Sequence, residues 1–146
     1  MKQMKTLQKI ITYTIKIAIP LLLLTAVVCT FLPIMSAYCG GDGESFTLVL
    51  RVINLAEFSA WGTVVVLSPL AFAAICYAKL DRKTKTLSLI GMYMFSSVAY
   101  VEAVKRAHEW LDEVSTGFVV KYPVMVIYPL VIFCVSVLMY ADIRRK

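Results

Sequence analysis

The sequence predicts an all-α integral membrane protein. It has four transmembrane helices and both termini cytoplasmic, with the third helix extended as an amphipathic helix on the outer side. Three observations predict this. Hydrophobic residues make up 60% of the 146 residues and charged ones 16%, with a mean hydropathy of +0.80; soluble domains hold about 45–50% apolar and about 25% charged residues. Four apolar runs nearly free of charge, at about 17–38, 56–78, 86–103 and 122–141, approach the roughly 20 residues a helix needs to cross about 30 Å of hydrocarbon. The positive charge is also sorted: 11 of the 15 Lys and Arg fall on the N-terminal segment, on Lys79–Lys85 and on the C-terminal tail. An even number of spans with basic ends and a basic middle connection places all three on the cytoplasmic side. The chain reads as a single four-helix domain over residues 1–146, multi-pass in a bacterial cell inner membrane.

The first run follows a basic leader (Lys2, Lys5, Lys9, Lys16) and is uncharged from Ile17 to Gly41. A secretory signal peptide also begins with a basic stretch, but its apolar region is only about 7–15 residues long. Ile34–Cys39 also lacks small residues at the paired spacing of a cleavage site. A retained span from Ile17 to about Tyr38 is expected. Pro20 lies in its first turn, where a missing N–H costs little, and Pro33 bends its far end. Cys39-Gly-Gly-Asp-Gly-Glu-Ser45 has turn chemistry. Asp42 and Glu44 are too few for a calcium site, so this segment reads as a solvated loop.

The stretch from Leu48 to Lys79 carries the only charges expected near the inside of a span. It opens with Arg51, Asn54 and Glu57, then runs uncharged from Phe58 to Ala78. With Lys79 at the cytoplasmic boundary, Glu57 lies about 33 Å away along a helix, against about 30 Å of hydrocarbon. Glu57 is therefore expected at the far interface, with Arg51 beyond it. Trp61 and Tyr77 stand near the two edges, as interfacial aromatics do.

After the connection Ala78–Lys85, the third run is uncharged only to Val101. Its helical period continues, since Val101, Val104, His108 and Leu111 recur at intervals of three, four and three, which is one helix face. A helix from about Thr86 to Val114, ending near Gly117, is expected. Its exit from the membrane is either upright or flat along the interface. In the fourth run Pro123 suits the first turn, Pro129 is a kink, and Arg144-Arg145-Lys146 is the stop. Val66-Leu-Ser-Pro-Leu70 and Val126-Ile-Tyr-Pro-Leu130 echo each other, as two parallel helical hairpins would.

These features exclude several function classes. The basic clusters flank spans and leave no basic face with interleaved aromatics, so no nucleic-acid partner is expected. One histidine, no Ser–His–Asp context and no nucleotide loop leave little to assemble for catalysis, and no enzyme is expected. Three of the four cysteines (Cys29, Cys76, Cys134) sit in apolar runs without a CxxC spacing, so neither a metal site nor a cofactor is expected. The first span holds no acid, unlike the four-span small multidrug transporters. What remains is an outer polar layer of Arg51, Asn54, Glu57, Glu102, Lys105 and Arg106 as a candidate interaction surface. By size and topology, the expected function is a non-catalytic membrane protein that binds another membrane or incoming protein. An immunity or exclusion protein and an accessory subunit both have this outline. The alternative is a small transporter or channel subunit working as a homo-oligomer. The expected partners are the lipid bilayer and either another membrane protein or further copies of the chain.

Overall fold

A computed structural model describes residues 1–146. It contains four helices long and apolar enough to cross a membrane, together with a small sheet that corrects the all-α expectation. Helix α1 (Lys2–Cys29) begins well before the expected span, so Pro20 lies inside it rather than in its first turn. It also ends well short of Tyr38. Thr30 closes its last turn by donating its hydroxyl to the Val27 carbonyl at 2.6 Å. Pro33 has no N–H to continue the helix and disfavours a helical conformation at the residue before it.

The chain then forms a β-hairpin, β1 (Pro33–Gly41) and β2 (Glu44–Arg51). The strands pair antiparallel, Gly41 opposite Glu44 and Ala37 opposite Leu48. The two-residue tip is Asp42-Gly43, and Gly43 takes φ +98°, a conformation that suits glycine. A third strand, β3 (Val119–Lys121), pairs with the other edge of β1, giving the order β2-β1-β3. Central strand β1 is buried on both faces from Ile34 to Ala37. Ser36 is satisfied there by a 3.2 Å hydrogen bond shared with the Tyr122 hydroxyl.

Beyond β2, a single turn of 3₁₀ helix (Val52–Asn54) leads into α2 (Leu55–Phe58) and α3 (Ala60–Tyr77). The span expected over 56–78 is thus broken at Ser59, which is extended. The Ser59 hydroxyl accepts from the Gly62 N–H at 3.3 Å and caps α3. At its other end the Lys85 ammonium donates to the Cys76 carbonyl at 2.7 Å, which suits a cation at a helix C-terminus. Helix α4 (Arg82–Val114) starts at Asp81, whose carboxylate accepts from the Thr84 N–H at 3.1 Å. Hydrogen bonds from the Thr84 side chain and backbone hold the Asp81 carboxyl below the usual carboxylate range. The charged cap therefore works above the ordinary carboxylate pKa and is lost as pH falls through the lowered one.

Helix α4 is continuous for 33 residues, about 50 Å, and outruns the membrane. Its last turns pack into the protein. Ala103, Val104, Ala107 and Leu111 are buried, and α4 packs against α2, β1 and β3. Ala99, Ala103 and Ala107 recur every four residues, a small-residue spacing that lets neighbours approach closely. This extension of α4 is the support on which the sheet is mounted. Helix α5 (Val124–Arg145) returns through the bundle. In the bundle α1 packs on α5, α5 on α4, and α4 on α3. The core is built around Phe72, Val65, Leu89, Ala99, Tyr128, Val135 and Met139, while Leu21, Leu24, Leu70, Leu87 and Leu130 point outward. These apolar outer faces are the lipid-contacting surface of a multi-pass membrane protein.

Two of the three prolines inside the bundle helices, Pro69 and Pro129, leave carbonyls without their helical partners, and tyrosines fill both gaps. Pro69 lacks the N–H that would bond the Val65 carbonyl four residues back, and the buried Tyr128 hydroxyl donates to it at 2.7 Å. Pro129 likewise frees the Met125 carbonyl, which accepts from the Tyr100 hydroxyl. The two prolines are those of the sequence echo. The donating tyrosines stack on each other with ring centroids 5.7 Å apart, tying α3, α4 and α5 together.

Candidate functional site

At the sheet end, the polar residues expected to form one layer fall into separate groups. Asn54 joins two of them locally. Its side-chain oxygen accepts from the Arg51 N–H at 2.9 Å, and its amide donates to Glu57 at 3.3 Å. Glu102 pairs instead with Arg106 one turn along α4 at 3.8 Å, an exposed pair worth about 0–1 kcal/mol. Lys105 is exposed and unpaired by any carboxylate. No hydrogen bond or ion pair connects the Arg51–Asn54–Glu57 group with Glu102, Lys105 or Arg106. The contact that does join α2 to α4 is aromatic, Phe58 against Trp110 with centroids 5.0 Å apart.

The sheet supplies the surface that the charges do not. Its inner face carries Met35, Ala37 and Leu50 into the core, with Leu48 packed against it. On the opposite face, the register sets Val49, Ser36 and Val120 in one row across the three strands. Val49 and Val120 are exposed on either side of the buried Ser36, and Tyr38 is the next residue on the same face of β1. Phe118, two residues before Val120, is 95% exposed. Backbone bonds hold this face rigid. Thr116 N–H donates to the Tyr38 carbonyl, and Tyr122 N–H donates to the Ile34 carbonyl, at 3.0 and 2.9 Å. Gly40 N–H donates to the Thr116 hydroxyl at 3.0 Å.

Sequence reasoning named none of Tyr38, Val49, Phe118 and Val120 as site residues. The available signal was the pair of short β-branched runs, Phe46–Leu50 and Val119–Val120, flanked by glycines. Cys39, which the sequence places in a solvated loop, is instead buried on the inner face. No cluster of three or more metal-ligating side chains exists. No known protein family, curated protein or solved structure matches the chain.

Proposed function

We propose that this is a non-catalytic protein of a bacterial inner membrane that acts by binding another protein through its sheet end. Immunity, exclusion and accessory-subunit roles fit this reading. The basic end, with the N-terminal lysines, Lys79–Lys85 and Arg144–Lys146, faces the cytoplasm, and the sheet faces outward. The observation that carries the reading is the exposure of Phe118 together with Val49 and Val120 on a braced sheet face. A large exposed aromatic beside exposed valines can anchor a partner as a binding hot spot does. The polar groups at Arg51–Glu57 and Glu102–Arg106 serve as rim contacts that set specificity and encounter rate. The buried polar residues are Thr30, Ser36, Ser68, Ser96 and Ser136. None of them ionises at neutral pH.

A photocrosslinking residue at Phe118 or Val49 should trap a defined protein adduct in intact cells, and the same probe at Leu87 should not. Phe118→Ser should weaken the interaction by about 2 kcal/mol, roughly thirty-fold, at unchanged accumulation. Solute flux in proteoliposomes that Glu57→Gln or Glu102→Gln abolishes would replace this reading with the transporter. Orientation has its own test. A membrane-impermeant thiol reagent should label Thr116→Cys from outside and leave Thr84→Cys untouched; the reverse pattern would invert the topology. Cys39 is too buried to serve as the reporter.

A further inference from the structure

Within the bundle, α3, α4 and α5 enclose a cavity of about 280 Å³ whose walls include Val65, Ser68, Ser97, Pro129 and Ile132. Five of its six hydroxyl groups are committed to backbone, all but that of Tyr93. Ser68 donates to the Val64 carbonyl at 2.8 Å, and Ser96 and Ser97 both donate to the Tyr93 carbonyl at 3.1 and 2.8 Å. Tyr100 and Tyr128 donate to the carbonyls freed by the prolines. No carboxylate, lysine, arginine or histidine lines the space. A chamber with no charge and all but one of its hydroxyls engaged suits a hydrocarbon chain and rejects an ion.

A second space, about 430 Å³, lies next along α4 toward the sheet and shares Tyr100 and Val101 as walls with the first. It adds charge to apolar walls, with Lys105, His108 and Glu109 from α4 and Lys121 from β3 beside Val104 and Met125. His108 is already matched by Asp112, whose carboxylate lies 3.0 Å from its Nδ1. Lys105, Lys121 and Glu109 take part in none of the three ion pairs of the chain. Val101 is the last residue of the uncharged run of α4. The charged space therefore falls at headgroup depth and the apolar one within the hydrocarbon.

We propose that the two spaces form one groove that holds a single phospholipid bearing a primary amine. Its phosphate sits between Lys105 and Lys121, its ammonium at Glu109, and one acyl chain passes Val101 into the cavity beside Pro129. Two cations and one anion on the wall match a zwitterionic head. A purely anionic head would meet Glu109, and a trimethylated amine has no N–H to donate to it. Lys105 thus takes a part distinct from the protein-binding face of the sheet.

Native mass spectrometry of the protein reconstituted from mixed phosphatidylethanolamine, phosphatidylglycerol and phosphatidylcholine tests this. One phosphatidylethanolamine should stay bound after detergent stripping. The pair Lys105→Gln and Lys121→Gln should cut that adduct by roughly tenfold or more. Val101→Trp, which blocks the passage, should cut it similarly, while Leu87→Trp on the lipid-facing surface should leave it unchanged. Preferential retention of phosphatidylglycerol overturns the proposal, and so does equal retention by the lysine variants and the parent, which would mark the lipid as annular only. The two lysines are on the exposed surface, so their variants decide the matter even where Val101→Trp fails to accumulate.

Discussion

Replacing Gly62 with alanine is expected to dislodge α2 from α3 and to destabilise the protein by at least the 1–3 kcal/mol, roughly, that overpacking a core costs. A Cβ on Gly62 would overlap the carbonyl of Leu55. That neighbour is backbone, not the movable end of a side chain. Leu55 is itself fully buried, as is Val52 just before it, so the segment from Val52 to Phe58 has no room to retreat. The same residue exchange at Gly91 should have the opposite sign. Gly91 sits mid-helix in α4, and a Cβ added there would meet nothing within 4 Å. Alanine at that position should gain up to about 1 kcal/mol from helix propensity alone. Chemical or thermal denaturation in detergent, run side by side on the two variants, reads the difference. A Gly62→Ala protein as stable as its parent would show that α2 does not pack as described.

The helices and the sheet differ in how plainly they are written in the chain. Helix α4 is legible to its last turn because Val101, Val104, His108 and Leu111 keep a helical period after the charges begin. An amphipathic pattern is a signal that a uniformly apolar run does not provide. Strand β1 is hidden for that reason. Ile34–Tyr38 continues the apolar run of α1 without a charge, and a strand buried on both faces has no alternation to distinguish it from a span. Two local signals mark the boundary nonetheless. Pro33 stops the helix, and Asp42-Gly43 between two apolar runs is a hairpin signature. The break at Ser59 has a weaker mark, a serine able to cap the helix that follows, set in a run that is apolar on both sides.

The candidate site is legible in part, for a related reason. Position along the helices places Glu57 and Glu102 near one boundary, but distance along an axis says nothing about which face a side chain takes. Glu57 turns toward Asn54 and Glu102 toward Arg106, each satisfied within its own segment. The residues brought together from afar are apolar: Val49 and Val120 flank β1 from opposite edges although they lie far apart in the chain. Only strand pairing does this, and β3, at three residues, is too short to announce itself.

Tyr128→Phe is expected to cost about 1–3 kcal/mol, the penalty for leaving a buried polar group without a partner, although it removes one oxygen and keeps the ring stacked on Tyr100. The reason lies on another helix. Pro69 has already removed the N–H that would serve the Val65 carbonyl, so the Tyr128 hydroxyl is its only donor. Both residues are buried, Tyr128 at 2% and Val65 at 1% exposed, within the membrane-spanning part of the bundle. The cost should therefore depend on residue 69. Pro69→Ala restores an N–H within reach of Val65, and in that background Tyr128→Phe should lose only about 0.6 kcal/mol, the usual worth of an interhelical hydrogen bond in a membrane bundle. A double-mutant cycle on reversible unfolding in mixed micelles would then show a coupling of about 1 kcal/mol or more between positions 69 and 128. Tyr100→Phe and Pro129→Ala should couple the same way through the Met125 carbonyl, while the crossed pair Tyr100→Phe and Pro69→Ala should be close to additive. Additivity in both matched pairs would mean that the tyrosines contribute only packing, and that the freed carbonyls are satisfied by a distortion of their own helices.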